Sequence, residues 1–558
     1  MNYALESLQN DCKNCYKCIR GCPTKSISFS NDQASIIHQD CILCGKCYLA
    51  CPQKVKIIRN DLKEVQNLLH SGKKVIVSLA PSFIANYPNC SINTMKKVLK
   101  QLGFYDVEET AVGATIVKNN YDEMILRNRQ EIIISSCCHS INLLIQKHYQ
   151  ECLPYLAKVL SPMLAHGQNI KKREPDAYVV FIGPCIAKKD EVDKNEQHYV
   201  DYALTFLELD EWLKNQDLQI EEDENKKLIE NSKARLFPID GGILKTMKCD
   251  NKEYEYLSVS GIENAIQVLE EIKKGNLKKC FIEMSSCSGS CINGPAMSLK
   301  DTHLLNGYIQ IKKNAGMKDF QVENDNIYHV YKEDLSIKNI PSDSEIERIL
   351  KEMGKTSKEK EFNCGSCGYP SCKDKAIAIF QGKAVKEMCL PYLMEKAASF
   401  SNNIVKNTPN GIMVLNTQLE IQQINKAMCR LVNVEEAKHL IGLNITTLLA
   451  PDLFLDALED KIIKDEKQYL LDYDKYVETT IIYDKKFDIL ISIMRDITAE
   501  QKNTEKRNEI LKKSMEITNE VIEKNMRTVQ EIASLLGESA AETKVALLSL
   551  KDTLKNDE

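Results

Sequence analysis

The 558-residue chain has no excess charge of one sign: 74 Lys and Arg stand against 79 Asp and Glu, a net of −5. Without a basic field, nucleic acid is not an expected partner. No run reaches the roughly 18 consecutive apolar residues of a membrane span, so no membrane is expected either. Met1 to Cys12 lacks a basic stretch followed by an apolar core. A secretory signal is therefore not expected, and the chain reads as cytoplasmic. A composition of 43% hydrophobic and 27% charged residues excludes a disordered or collagen-like chain. At roughly 150 residues per domain the length suits about four domains. The abundant residue is cysteine, 22 in all. Cytosolic thiols stay reduced, so metal ligation or thiol chemistry explains them better than disulfides do.

The cysteines are grouped. Cys12-x2-Cys15-x2-Cys18-x3-Cys22-Pro23 is repeated as Cys41-x2-Cys44-x2-Cys47-x3-Cys51-Pro52. Three thiolates at this spacing wrap one face of a cubane cluster, and the cysteine before proline ligates the other cluster. One [4Fe–4S] cluster is expected on Cys12, Cys15, Cys18 and Cys51, and a second on Cys41, Cys44, Cys47 and Cys22. Zinc is the alternative, but zinc units rarely use tandem runs of this form. The repeat is similar to bacterial two-cluster ferredoxin and implies an electron wire. Cys90, Cys152, Cys249, Cys280 and Cys429 stand alone and read as small buried hydrophobes.

From Asp61 the pattern turns α/β. Lys74–Ala80, Glu131–Ser135, Tyr178–Ile182 and Lys279–Met284 read as buried strands, with helical periodicity between them, as over Asn264–Lys274. Three of these runs deliver cysteines at or beyond their ends: Cys137-Cys138, Cys185, and Cys287-x3-Cys291. Ligands held at strand ends by separate loops can converge in one cleft.

Ser135-Ser136-Cys137-Cys138, Pro184-Cys185-x2-Lys188-Lys189-Asp190-Glu191 and Glu283-x3-Cys287-x-Gly289-x-Cys291 resemble the three signature loops of [FeFe]-hydrogenases. Ala80-Pro81-Ser82, Ser161-Pro162-Met163 and Gly241-Gly242 support the likeness, which runs over roughly residues 75–300. The resemblance implies that Cys138, Cys185, Cys287 and Cys291 hold the [4Fe–4S] half of an H-cluster. Cys291 would bridge to a two-iron unit carrying CO, cyanide and a dithiolate. Lys188 would donate a hydrogen bond to a cyanide, and Cys137 would be the proton-shuttling thiol.

The departures from the family pattern carry information too. His139-Ser140-Ile141 follows Cys138 where Pro-Gly-Trp is usual. Gly183 and Ser285 replace two methionines that line the two-iron unit, which implies a looser or more polar pocket. The usual relay serine aligns on Ala157, and Thr115 to Glu123 offers no clear pair of relay glutamates. The thiol is kept while the path behind it is interrupted, which implies slow chemistry. His139 reads as an alternative relay or as a packing or surface residue.

Lys300–Lys351 reads as a few strands and a connecting helix, followed by a linker at Met353–Glu361. Cys364-x2-Cys367-x4-Cys372-x16-Cys389 then resembles the small [4Fe–4S] module of Rnf-type electron-transfer proteins and corrinoid proteins, with zinc as the alternative. A helix over Asp374–Lys386 would return the chain to Cys389. Pro409–Asn416, Ile421–Ala427, Thr479–Tyr483 and Phe487–Met494, ending in Asp496-Ile497-Thr498, resemble a PAS sensor domain. His439 lies outside its core strands, so no haem ligand is expected. Ala499–Leu550 is helical, with apolar residues at three-to-four spacing that suit a coiled-coil or bundle seam. Gly537 is expected to break it. No kinase or phosphatase motif follows, so any output acts through a partner.

The expected architecture is multidomain, α+β and α/β. It comprises a two-cluster ferredoxin-like domain (1–60), a two-lobed α/β H-cluster domain (61–352), a small [4Fe–4S] domain (353–396), a PAS domain (397–498) and a helical tail (499–558). Three readings follow from the resemblance: a sensory hydrogenase of low turnover, a metabolic ferredoxin-dependent hydrogenase, and a hydrogenase-like protein lacking the two-iron unit. Implied partners are H₂ and protons, a ferredoxin-like carrier, a signalling phosphatase or kinase, hydrogenase maturases and a second copy of the chain.

Overall fold

A computed structural model describes residues 3–9, 11–223, 228–248, 250–298, 304–323, 325–334, 339–459 and 461–555. It forms two compact units, Met1–Leu393 and Met394–Glu558.

The first unit opens with two small antiparallel sheets. β1 (Leu5–Ser7) pairs with β4 (Lys56–Ile58), and β2 (Ile27–Ser30) with β3 (Gln33–Ile36). Two short helices, Lys17–Gly21 and Lys46–Ala50, stand in equivalent places and end at Cys22 and Cys51. The residue before each helix has positive φ, Tyr16 in one and Gly45 in the other. At Gly45 a side chain is also excluded by packing, because a Cβ would lie 2.5 Å from Pro295.

Two parallel sheets follow. The larger has the order β6-β5-β8-β9: β5 (Val75–Leu79), β6 (Asp106–Glu109), β8 (Tyr178–Gly183) and β9 (Tyr202–Thr205). The smaller has the order β10-β11-β7: β7 (Ile132–Ile134), β10 (Glu255–Ser260) and β11 (Cys280–Ser285). Every residue of β5 is buried, as expected for a central parallel strand covered on both faces. The sequence reading finds the central strands β5, β8 and β11 and the apolar edge strand β7 (III), and misses β6, β9 and β10. Those three are edge strands, and β6 (DVEE) and β10 (EYLSVS) are too polar to read as buried runs. The cysteine loops all leave from carboxyl ends of strands, where open α/β sheets place their clefts.

The stretch expected to hold strands over Lys300–Lys351 instead forms two helices among its described residues, Leu304–Asn314 and Asp343–Glu352. Lys300 itself lies outside the described residues. A capping box of Ser342 and Glu345 starts the second helix, a signal stronger than the polar composition around it. Its apolar face, Ile346, Ile349 and Leu350, packs on Ala376 and Cys389. The helix expected over Asp374–Lys386 is shorter, Cys372–Phe380. Gly382, at φ +68°, ends it in a Schellman turn: Lys383 N–H reaches Ala378 O and Gly382 N–H reaches Ile379 O.

The second unit contains a five-stranded antiparallel sheet of order β13-β12-β16-β15-β14: β12 (Gly411–Asn416), β13 (Ile421–Ile424), β14 (Ile463–Leu470), β15 (Lys475–Asp484) and β16 (Ile489–Asp496). Buried Asn425 ties its entry together, accepting from Ile412 N–H and Met428 N–H while donating to Val405 O and Asn410 O. His439 is exposed on a short turn. At the exit Asp496 Oδ1 accepts from Thr498 N–H, and the helix Thr498–Lys555 begins. Gly537 does not break that helix. One interior glycine costs about 1 kcal/mol against alanine, too little to interrupt so long an element.

Candidate functional site

The N-terminal cysteines lie near one another in two sets. Cys15 and Cys51 both reach Gln53 Oε1, at 3.8 and 3.9 Å, and Cys18 feels the charges of Cys12 and Cys51. In the second group Cys41, Cys44 and Cys47 each feel Cys22. Burial raises Cys41 to about 11 and Cys44 to about 12, so thiolates here need a positive centre to hold them. The ferredoxin-like segment is anchored through this second group. Lys147 Nζ donates to Cys41 O (3.0 Å) and His38 O (3.1 Å), and Lys46 pairs with Glu263.

Cys44 also lines a small cavity of about 30 Å³ together with Cys138, Cys185, Cys287 and Cys291. Beyond it lies a cavity of about 120 Å³, lined by Cys137, Cys138, Cys185, Lys188 and Cys291 along with Pro81, Met163, Phe181 and Met284. β7, β8 and β11 thus bring the predicted loops together from both sheets. Burial pushes Cys185 up to about 11 and Cys291 to about 12. Two buried hydroxyls, Ser82 Oγ on the larger cavity and Ser286 Oγ on the smaller, have no partner among the described residues. Four convergent thiols and unpartnered donors fit an anionic, sulfur-bound cofactor. Among the described residues no three Cys, His, Asp or Glu side chains close on a single ion.

Lys188 is buried and donates to Glu191 Oε2 and to Cys137 O (3.3 Å). Burial works against its charge, but Glu191 outweighs it and the ammonium is held more firmly than usual. His139 is not on the surface. It is buried, with Nε2 2.8 Å from Asp190 Oδ2, whose carboxyl is held down at about 2, against its own burial, by His139 and Lys194.

Cys137 has a partner that the sequence reading missed. Tyr121, fully buried on the helix Ala111–Arg127, places its hydroxyl 3.3 Å from Cys137 Sγ and 3.1 Å from Ser136 Oγ, and accepts from Ser136 N–H at 2.9 Å. Ser136 Oγ then donates to Val159 O (3.0 Å), which also receives Tyr331 OH. Among the described residues this chain of hydrogen bonds reaches a backbone carbonyl, which has no proton to pass on, beside the Tyr331 phenol. Burial keeps the Cys137 thiol up at about 12. Ala157, at the usual serine position, is buried and offers no hydroxyl.

The expectation of a looser pocket at Gly183 is corrected. A Cβ there would lie 2.6 Å from Phe181 Cζ, so the Phe181 ring fills the space a longer side chain would take. Met284 lines the cavity beside Ser285.

Glu283 is buried on β11 and accepts from Leu244 N–H at 3.0 Å; burial raises it to about 7. The folded state therefore keeps a proton that the unfolded chain loses near 4.5. That stabilisation is complete below the unfolded value and is lost as pH rises to about 7, by up to roughly 3 kcal/mol. Glu283→Gln should flatten the fall in melting temperature between pH 5 and pH 7. An unchanged slope would mean that Glu283 titrates alike in both states.

Cys364 and Cys367 lie on a turn opened by Asn363, whose Oδ1 accepts from Cys372 N–H at 2.8 Å. Cys389 lies close enough for its charge to act on Cys372. Of the lone cysteines, Cys90, Cys152, Cys280 and Cys429 are buried as expected; Cys249 lies outside the described residues.

Comparison with known proteins finds four families along the chain. Residues 5–65 match the family described as 4Fe-4S dicluster domain, and 73–295 match the C-terminal domain of the iron only hydrogenase large chain. Residues 361–391 match a putative Fe-S cluster, and 400–469 the PAS fold. Over 309 residues the chain is 23% identical to iron hydrogenase 1 of Clostridium pasteurianum, covering 44% of this chain and 54% of that protein. It thus spans about half the length of that relative. It is 24% identical to the periplasmic [Fe] hydrogenase large subunit of Nitratidesulfovibrio vulgaris, over 41% of this chain and 70% of that one. A variant of the [FeFe]-hydrogenase HydA1 from Chlamydomonas reinhardtii superposes with a TM-score of 0.41 at 15% identity, covering 50% of this chain and 100% of the other. The PAS domain of an HTR-like protein from Haloarcula marismortui does so with a TM-score of 0.16 at 20% identity, covering 18% and 99%. The chain is a multidomain protein with iron–sulfur cluster domains. Its central part matches the C-terminal domain of the iron only hydrogenase large subunit, accompanied by matches to a 4Fe-4S dicluster domain and to the PAS fold. No helix among the described residues is long and apolar enough to cross a membrane.

Proposed function

We propose that this protein is a sensory [FeFe]-hydrogenase, reacting reversibly with H₂ (2H⁺ + 2e⁻ ⇌ H₂) at low turnover and passing the redox state to its PAS domain. The observation that carries this reading is the convergence of Cys138, Cys185, Cys287 and Cys291 with Cys137 and Lys188 on two cavities that share Cys138, Cys185 and Cys291, beside a thiol hydrogen-bond chain that reaches Val159 O. The four cysteines would hold the [4Fe–4S] half of an H-cluster, and Cys291 would also hold the two-iron unit. That unit, when bound, supplies the hydrogen–hydrogen bond chemistry. Lys188 presents a fixed ammonium to a cyanide, its position held by Glu191. Cys137 holds a proton at Sγ, at the cavity wall. Cys12, Cys15, Cys18 and Cys51, then Cys22, Cys41, Cys44 and Cys47, and then Cys364, Cys367, Cys372 and Cys389 would each hold a further [4Fe–4S] cluster.

The five segments 1–60, 61–352, 353–396, 397–498 and 499–558 would serve as electron entry, hydrogen chemistry, relay, sensing and output. Exposed Ile510, Ile517, Val521, Ile522, Met526 and Val529 on the last helix suit a second copy of the chain. A ferredoxin-like carrier would exchange electrons, maturases would supply the two-iron unit, and a phosphatase or kinase would receive the signal. The test is anaerobic maturation with the hydrogenase assembly enzymes, followed by infrared spectra under argon and under hydrogen. CO and cyanide bands that shift with hydrogen, with low turnover, are expected. High turnover would favour a metabolic enzyme, and absence of the bands a protein lacking the two-iron unit.

A further inference from the structure

The module of Cys364–Cys389 is docked on the ferredoxin-like segment within the first unit, at the side of Cys22. Backbone meets backbone there: Phe29 N–H donates to Lys383 O at 2.9 Å. A Cβ on Gly368, which has φ +95°, would lie 2.8 Å from Ile19. Three cations stitch the joint. Lys25 Nζ donates to Gly368 O (2.9 Å), Ile19 O (3.0 Å) and Arg20 O (3.2 Å). Arg20 bridges Ser366 O and Cys15 O, and Lys383 pairs with Asp40 at 2.6 Å.

Tyr369 lies inside this joint, 3% exposed, in one apolar cluster with Ile19, Ile27 and Met388. Its hydroxyl has no hydrogen-bond partner among the described residues. A buried hydroxyl without a partner is destabilising, so its presence needs a reason. Both Cys367 and Cys22 are near enough for their charges to act on it, and the same two thiols act on Lys25. An unpartnered donor and a cation thus stand between one cysteine of each set. On the other side of the same N-terminal set, Cys44 lines the cavity shared with Cys138 and Cys287.

We propose that Tyr369 and Lys25 form an electron-transfer junction, coupling the cluster held by Cys364, Cys367, Cys372 and Cys389 to the one held by Cys22, Cys41, Cys44 and Cys47. The second set is then a branch point, with the hydrogen site at Cys44 and the module at Cys22. This rests on the reading that both sets hold [4Fe–4S] clusters. One electron crosses per step, one cluster passing from its reduced to its oxidised state as the other does the reverse; no proton or group moves. Tyr369 and Lys25 are positioning residues, one donating to a cluster sulfur and the other supplying fixed positive charge, and both effects favour the reduced state.

The test uses the full chain, reconstituted anaerobically with iron and sulfide, as wild type, Cys372→Ser and Tyr369→Phe. Iron content comes first. Cys372→Ser should lose one cluster's iron, and no loss would overturn the cluster reading itself. Low-temperature EPR of the reduced proteins comes second. The wild-type spectrum should show spin–spin broadening beyond that of Cys372→Ser, in which only the N-terminal and hydrogen-site clusters couple. A wild-type spectrum equal to the variant's plus one independent signal would overturn the junction and leave the clusters standing. Redox titration comes third. Tyr369→Phe should shift one cluster's midpoint potential downward while leaving the cluster-free protein no less stable, since the hydroxyl has no protein partner. An unmoved potential would remove Tyr369 from the junction.

Discussion

Replacing Cys137 with alanine should lower hydrogen turnover by about two to four orders of magnitude, the usual weight of a positioned acid–base group. The CO and cyanide bands of the matured protein should survive the change. Cys137 is not in the expected ligand set, whereas its neighbour Cys138 is, so one substitution tests the chemistry and leaves assembly intact. Turnover equal to wild type would take Cys137 out of the proton path. The low turnover proposed for the native protein has a physical reason in the surroundings of this thiol. Tyr121 and Ser136 satisfy the hydrogen bonds around the thiol, but their chain ends on Val159 O. Burial raises the Tyr121 phenol well above its ordinary range, so it donates a hydrogen bond and does not take up a charge. Tyr121→Phe should slow the reaction less than Cys137→Ala, because it removes a positioning contact and leaves the thiol in place.

Replacing Arg235 with methionine should destabilise the first unit by about 3–5 kcal/mol, the cost of leaving a buried charge without its partner. Arg235 and Glu109 are both buried and paired through two hydrogen bonds, of 2.7 and 2.6 Å, and a third runs from Arg235 to Asn314 O at 2.9 Å. Glu109 ends β6, and Arg235 immediately precedes Leu236, Phe237 and Pro238, the last two of which line the cavity. The pair therefore ties a sheet edge to the cavity wall. Thermal melting of Arg235→Met should show the loss, and the double variant Arg235→Met, Glu109→Gln should recover most of it. A double variant as weak as the single one would mean that packing of the long arginine side chain, and not the stranded charge, sets the cost.

Tyr121 shows why part of the site was hidden. Its helix is buried on nearly every side, including Gly113, Ile116, Val117, Lys118 and Asp122, so hydrophobic periodicity singles out no face. A tyrosine among such neighbours reads as core. Phe181 was hidden for a related reason, since alternation along β8 does not reveal that its ring turns over the position of Gly183. His139 could be read as a relay or a surface residue because its partner, Asp190, is 51 positions away.

The cysteine sets, the order of the modules and the central strands were determined by the sequence alone. Each is a local property: three thiolates at fixed spacing can wrap one cluster face, and a short continuous apolar run can lie between covered faces of a sheet. Four of the five PAS-sheet strands and the Asp-Ile-Thr exit were legible on the same grounds; β14 (IKDEKQYL), rich in charge and mostly exposed, was not. The tertiary structure decided which cysteine of one set faces which cysteine of another, what the Cys137 thiol touches, and where the last module docks. Those contacts join residues more than 300 positions apart, such as Lys25 with Gly368 and Lys383 with Asp40. Spacing along the chain carries no information about such pairs, because they form only when separately folded surfaces pack together.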